Sequence, residues 1–307
     1  MVNRAQFLSL LEPKLRGVKN DIDFQRRAPI WPQFFGETIS SKKAKETYYN
    51  RAGLGDFQLK AEGGLISYTD PIAGAEKEFA HVRRSNGYKI TQEMLDHDQY
   101  AEIVKLEQDL QIAGNEDLEV GGHLLLNNAF GTTSVAAYGF SATGLDGLQL
   151  CSTAHTRLDG GTSQANRPST DANLTWTSLA NARQQFQLYV DERGKRIVAQ
   201  PAKLIVHVND ELTAMELMRS SGKPGTANND VNVLFGEFSI VVTPYLTSTN
   251  DWFLFGSSPE TVFHWDVQPR TAMEDDFDTE TIKRKRVHGF SFGHLRWQQV
   301  YGTSGTA

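Results

Sequence analysis

PAKLIVHVNDELTAMELMRSSGKPGTANNDVNVLFGEFSIVVTPYLTSTNDWFLFGSSP, residues 201–259, decides the fold. It opens with an apolar strand over Leu204–Val208. An Asn209-Asp210 step then starts a helix before Leu212, a polar loop follows from Gly222 to Asp230, and β-prone runs close the stretch. Strand, helix and strand are packed into 59 residues with no catalytic constellation among them. The aromatics Trp252, Phe253, Phe255, Phe263 and Trp265 fall at strand spacing and read as packing rather than ligand stacking.

Upstream, Thr91 can cap a helix whose first turns carry Glu93, Asp96 and Asp98, where the backbone dipole favours negative charge. Ile103, Leu106, Leu110, Ala113, Val120 and Leu124 make one apolar stripe, so a single helix is expected from 91 to about 130, bent at Gly114 or at Gly121-Gly122. Before it, FQLKAEGGLISY and AEKEFAHVRR are β-prone runs joined by TDPIAG, which predicts a long hairpin over 56–90. Lys60, Glu62, Glu76, Lys77, Glu78, Arg83 and Arg84 put charge on both of its faces. A two-stranded ribbon without an apolar face is marginal in water, so a neighbouring molecule is expected to support it.

The first 55 residues read as an arm. Phe7, Leu8, Leu10, Leu11, Leu15 and Val18 suit an amphipathic helix kinked near Pro13, and an extended stretch follows with Trp31, Phe34, Phe35 and a lysine cluster at 42, 43 and 45. Exposed aromatics on such an arm call for a covering partner, which makes Trp31, Phe34 and Phe35 candidate intersubunit contacts together with the charged hairpin residues. Beyond the long helix, 131–168 is loop-rich, 173–190 is helical with Leu179, Ala182, Phe186 and Val190 on one side, and 281–301 alternates as a long antiparallel strand.

Composition narrows the function classes. The chain has 307 residues, a net charge of −6 and one cysteine, Cys151, so neither an internal disulfide nor a thiolate zinc cluster can form. No apolar run approaches membrane-spanning length, and the N-terminus lacks a secretory apolar core, so neither membrane insertion nor secretion is expected. Residues 1–60 carry eleven Lys/Arg against six Asp/Glu, whereas the remainder carries 20 against 31. A basic arm could lie on the acidic body of another copy, and that body would not cling to phosphates.

No phosphate-binding glycine loop, GxSxG or HExxH motif occurs, and neither a metal nor a cofactor is expected. His155 with Asp159, or with His207, is the weak alternative of a small hydrolase site. Asp96–Asp98 around His97 reads better as helix capping than as a metal site. Lys283-Arg284-Lys285-Arg286, set on a strand, reads as a solvated or intersubunit salt-bridging face.

Taken jointly, ITQEMLDHDQY (90–100), the run from Pro201 to Ser221, NNDVNVLFGEFSIVVTPYLTSTNDWFLFGSS (228–258) and the loop segment STAHTRLDGG (152–161) resemble the major capsid proteins of tailed phages, in particular the Mu-like major head subunits. The resemblance implies an α+β Hong Kong 97-like fold with an N-terminal arm (1–55) and an extended loop (56–90). It further implies a peripheral domain of spine helix and long strands (91–130 with 260–307) and an axial domain (131–259). It implies a non-enzymatic subunit, made in the bacterial cytoplasm, that self-assembles into the hexamers and pentamers of a virion head around double-stranded DNA held without sequence preference. Portal, scaffolding and decoration proteins are the further partners it implies.

Some members of the family link subunits through a lysine–asparagine isopeptide bond; Lys60, Lys77 and Asn250 are present here, but no motif pairs them. An encapsulin-type nanocompartment, which shares the fold, is the alternative. On this reading, loss of residues 1–30 or 58–84 leaves a folded body that cannot form shells.

Overall fold

The computed structural model describes Gly17 and residues 28–96, 100–224, 230–276 and 280–305. The expected N-terminal amphipathic helix, the Asp96–Asp98 cluster and most of the Gly222–Asp230 loop lie outside the described residues. The described residues include eleven strands, four α-helices of five residues or more and three short 3-10 turns. Strands β1 (Glu37–Ser40), β2 (Lys45–Ala52), β3 (Ile72–Ala80) and β4 (Val82–Thr91) come first, then helices α1 (Gln92–Asp96) and α2 (Tyr100–Asn127) and the short strand β5 (Phe140–Ser141). Helix α3 (Trp176–Leu188), strand β6 (Pro201–His207), helix α4 (Glu211–Arg219), and strands β7 (Ser239–Thr243), β8 (Asp251–Gly256), β9 (Thr261–Asp276), β10 (Thr281–His294) and β11 (Val300–Ser304) follow.

Two sheets carry the body. The first runs β1-β9-β10-β4, with β5 beside β10; the second runs β11-β8-β6-β7. In the second, alternate residues face two different cores. Ile205, Val241, Phe253, Phe255 and Val300 join the core built on α2 and on β9 and β10. Leu204, Val206, Trp252 and Leu254 join a core roofed by α3 and α4 through Leu179, Ala182, Phe186, Ala214, Leu217 and Met218. With both faces covered, β8 is buried at all six positions, and its sequence is a continuous run rather than an alternation. The expected helix of 173–190 and the strand and helix of 201–219 are present, and α3 starts with a reciprocal capping box between Thr175 and Ser178.

Four expectations change. The hairpin pairs β3 not with 57–68 but with β2, in the register Lys45↔Ala80 to Ala52↔Ile72. Residues 53–71 form its irregular tip. KETYYNRA has the better strand chemistry, with Tyr48 and Tyr49 central, whereas the Gly53, Gly55, Gly63 and Gly64 steps break the stretch that follows. A cut at 58–84 would therefore remove β3, its buried Phe79 and the start of β4, and is no clean excision.

Trp31, Phe34 and Phe35 are not exposed arm residues. They form a short 3-10 turn, with Pro32 fixing its start, buried in the chain's own core against Phe263 and Phe292. Just beyond them, β1 adds to β9 in parallel, so the body begins well before residue 55.

The long helix α2 is 28 residues, about 42 Å, and its buried seam follows the expected stripe only in part: Ile103 and Leu110 are buried, but Ala113 and Val120 are exposed, and Glu107, Gln111 and Gly114 are buried instead. The glycines serve close approach instead of bends. A Cβ on Gly114 would lie 2.5 Å from Arg286 Nε, and one on Gly122 would lie 2.4 Å from Trp31 Cβ.

Finally, β11 pairs with β8, so residues 300–304 return to the second sheet and leave the expected peripheral unit.

Candidate functional site

Three features of the described residues define the candidate site: the hairpin tip, its root, and a polar seam beneath α2. The tip presents Phe57 and Leu59 fully exposed, with Leu65 97% and Tyr68 89% exposed and Leu54 and Ile66 largely so. Six large apolar side chains on one loop form an exposed patch that a free monomer pays for in solubility. The ends of the loop are nonetheless held. Arg193 donates to Gly53 O (3.0 Å) and Asp70 O, and Lys195 Nζ donates to Leu54 O (2.9 Å). Lys60 and Glu62 ride on this loop in solvent, and Glu76 and Glu78 are exposed on β3, with Glu78 paired to Lys45 across the hairpin.

The remaining charged candidates turn inward or sideways. Lys77 is buried; its Nζ donates to His294 O at 3.0 Å and lies over the Phe79 ring. Burial pulls its pKa down to about 7, with Asp146 opposing. Arg83 pairs with Asp266, and Arg84 makes a two-pronged contact to Asp117 (2.6 and 2.7 Å) while stacking over Tyr138. At the root, Tyr48 Oη sits 2.8 Å from His264 Nε2, and His81 Nδ1 lies 2.9 Å from Ser291 Oγ. Burial lowers the pKa of His264 to about 4, so the root is seated on a neutral imidazole near neutral pH.

The polar seam is what sequence patterning missed. Arg284 holds Glu107 through Nε (2.5 Å) and Nη2 (3.1 Å), and Tyr88 and Gln111 also donate to that carboxylate. Arg286 donates to Gln111 and Asn115, and His288 Nε2 lies 2.9 Å from Asp117. Alternate residues of β10 advance about 6.7 Å and one helical turn about 5.4 Å, so the strand's 284, 286, 288 series can meet successive turns of a helix running alongside. Burial opposes ionisation of Asp117, but the hydrogen bonds from His288 and Arg84 outweigh it and hold the carboxyl well below its usual range. The alternating KRKR run was the available signal: its two lysines are exposed, while both arginines point into the molecule rather than toward a neighbour.

The hydrolase candidate does not assemble. His155 meets Asp146 (2.6 Å) and Asn166 (2.9 Å), stacks on Trp297 and is fully buried, whereas Asp159 binds Arg157 and Gly161 N–H. Asn166 donates to Leu150 O and Val300 O, so this group ties the 146–166 loop to the second sheet. His207 accepts from Asn209 N–H at the entry to α4. Cys151 is buried, and burial pushes its thiol well above the ordinary range. Among the described residues no three His, Cys, Asp or Glu side chains are grouped to hold a metal, and no helix is long and apolar enough to cross a membrane.

The profile of a family described as "Phage capsid protein" matches residues 75–302. Sequence comparison with curated proteins finds no match. Among solved structures, the chain is similar to the capsid of cyanophage P-SCSP1u, with 10% identity, a TM-score of 0.56, and 92% of this chain and 89% of that chain covered. It is also similar to the procapsid of bacteriophage JBD30, at 12% identity and a TM-score of 0.52, covering 100% of this chain and 77% of that one. A third similarity is to Mycobacterium phage Bobi, at 12% identity and a TM-score of 0.52, covering 92% of each chain. These likenesses establish the α+β Hong Kong 97-like capsid fold.

Proposed function

The chain belongs to the phage capsid protein family and is a shell subunit of the virion, and from that premise we propose that its copies close as hexamers and pentamers of an icosahedral head around double-stranded DNA. The observation that carries the proposal is the hairpin tip: Phe57, Leu59, Leu65 and Tyr68 stand in solvent on a loop whose ends are tethered. Burying such side chains against a second copy contributes roughly 1.5–3 kcal/mol each, repeated at every contact of a closed lattice. The role is mechanical: overlapping extensions spread the load of packed DNA over several neighbours. Assembly takes place in the bacterial cytoplasm, with DNA held through non-specific contacts and with portal, scaffolding and decoration proteins as further partners.

An encapsulin-like compartment is not favoured, since the family and the matching structures are capsids. Replacing Phe57, Leu59, Leu65 and Tyr68 together by serine tests the contact. The variant is expected to keep the circular dichroism and unfolding midpoint of the parent subunit while forming no particles by negative-stain microscopy. Closed particles at the parent's yield would refute the role given to the tip.

A further inference from the structure

The turn at residues 191–195, between α3 and β6, is built as a closed unit. Asp191 N–H donates to Lys195 O (2.8 Å), Gly194 N–H returns to Asp191 O (3.0 Å), and Asp191 Oδ1 accepts the N–H groups of both Arg193 (2.9 Å) and Lys195 (2.8 Å). Gly194 sits at φ +78°, in the left-handed region that suits glycine. Glu192 is buried and accepts Leu158 N–H at 2.9 Å, which pins the turn to the 146–166 loop. Two cationic side chains therefore leave the body from a fixed backbone, and both reach the neck of the hairpin loop. Strands β2 and β3 part after the pair Ala52↔Ile72. Just beyond it, one Arg193 guanidinium spans the gap, donating through Nε to Gly53 O (3.0 Å) on the outgoing side and through Nη2 to Asp70 O (2.5 Å) on the returning side. Lys195 Nζ takes the next two carbonyls, Leu54 O (2.9 Å) and Gly55 O (3.3 Å), and lies 3.6 Å from Asp56. Gly55 N–H in turn donates to Thr69 Oγ1 at 3.3 Å and closes the neck from within. We propose that Arg193 and Lys195 are positioning residues for assembly: their clamp on the neck fixes the direction in which the apolar tip is presented to a second copy.

This role rests on the shell-subunit reading and explains how its docking loop can be ready before contact. Residues 53–71 include four glycines and form no strand or helix, so the free loop has many conformations to lose. Ordering it at the moment of contact would weaken association, and a neck already held removes part of that entropic cost. The clamp does this with little effect on the fold, because hydrogen bonds at an exposed site exchange with water and add little to global stability. Shape also separates from charge here. A lysine at 193 keeps the positive charge but lacks the planar fork that meets both rims of the neck at once.

Chymotrypsin cleavage of the full chain, at concentrations below those that give particles, reads the neck directly, since Phe57, Leu59, Leu65 and Tyr68 are its targets on the loop. Arg193→Ala combined with Lys195→Ala is expected to raise the rate of loop cleavage about tenfold, the effect on a local opening of losing a hydrogen bond or two. The same variant is expected to form particles correspondingly more slowly by light scattering, with an unchanged midpoint in urea. Arg193→Lys is expected to match Arg193→Ala in cleavage. Asp191→Ala, acting through the turn, is expected to reproduce the double variant, whereas Asp191→Asn keeps Oδ1 and the parent's rates. Loop cleavage at the parent's rate in the double variant would remove the clamp, and a freed loop with particles forming at the parent's rate would remove its role in assembly. A urea midpoint that falls in step with the gain in cleavage, or full function in Arg193→Lys, would reduce the pair to general or charge stabilisation. A parent that forms no particles, even with cleavage responding as expected, would sink the shell reading and the positioning role with it; in every other failure the shell reading stands.

Discussion

Arg284 and Glu107 illustrate how much rides on single side chains here. Both are buried, and each satisfies the other through two hydrogen bonds. Glu107→Ala strands a guanidinium in a closed seam, and a loss of roughly 3–5 kcal/mol is expected in urea unfolding of the subunit. Combining it with Arg284→Met is expected to recover part of that loss, which would separate the cost of an unpaired charge from the cost of lost packing. His264 and His123 contribute to the acid limb, as does the fully buried His294. Burial lowers the first two from 6.5 to about 4, so the unfolded chain binds protons between those values that the folded chain refuses. The contribution of these two groups is accordingly full above about pH 6.5 and falls as the pH drops toward 4, by up to ~1.4 kcal/mol per pH unit for each. His264→Asn is expected to flatten that slope in a Tm-against-pH series; an unchanged slope would remove His264 from this role.

Among the elements, α2 is the one whose sequence reads most clearly as a helix and least clearly as to what it faces. Gly122 is a poor helix former, yet its replacement by Ala would drive a Cβ to 2.4 Å from Trp31. The substitution is expected to destabilise by about 1–3 kcal/mol despite the gain in helix propensity, whereas Gly131→Ala, with nothing within 4 Å, is expected to change little in the same unfolding assay. Elements with a one-sided or wholly apolar pattern were legible: α3 from Leu179, Ala182 and Phe186, β6 and β8 from their continuous runs, β10 from its alternation. Those set by pairing were not. Strand β2 could be told from the tip only by knowing that β3 lies opposite, and the inward turn of Arg284 and Arg286 depends on carboxylate and amide partners some 170 residues away. The aromatics at 31–35 misled for the same reason: a proline-bounded segment looks like an arm until Phe263 and Phe292 supply its pocket.

At the scale of the whole molecule, a shared core, a tethered loop with an apolar tip, and a capsid-family profile over residues 75–302 describe a shell subunit whose tip a single copy leaves uncovered. Replacing residues 56–68 by a short turn between Gly55 and Thr69, which already meet through a hydrogen bond, preserves β2 and β3. That variant is expected to sediment as a folded monomer or capsomer-sized species. The direct measurement is sedimentation velocity of the purified full chain under conditions that permit association. Megadalton particles are expected, visible as closed shells in the electron microscope; a stable single species of 34.2 kDa at every protein concentration would contradict the shell-subunit reading.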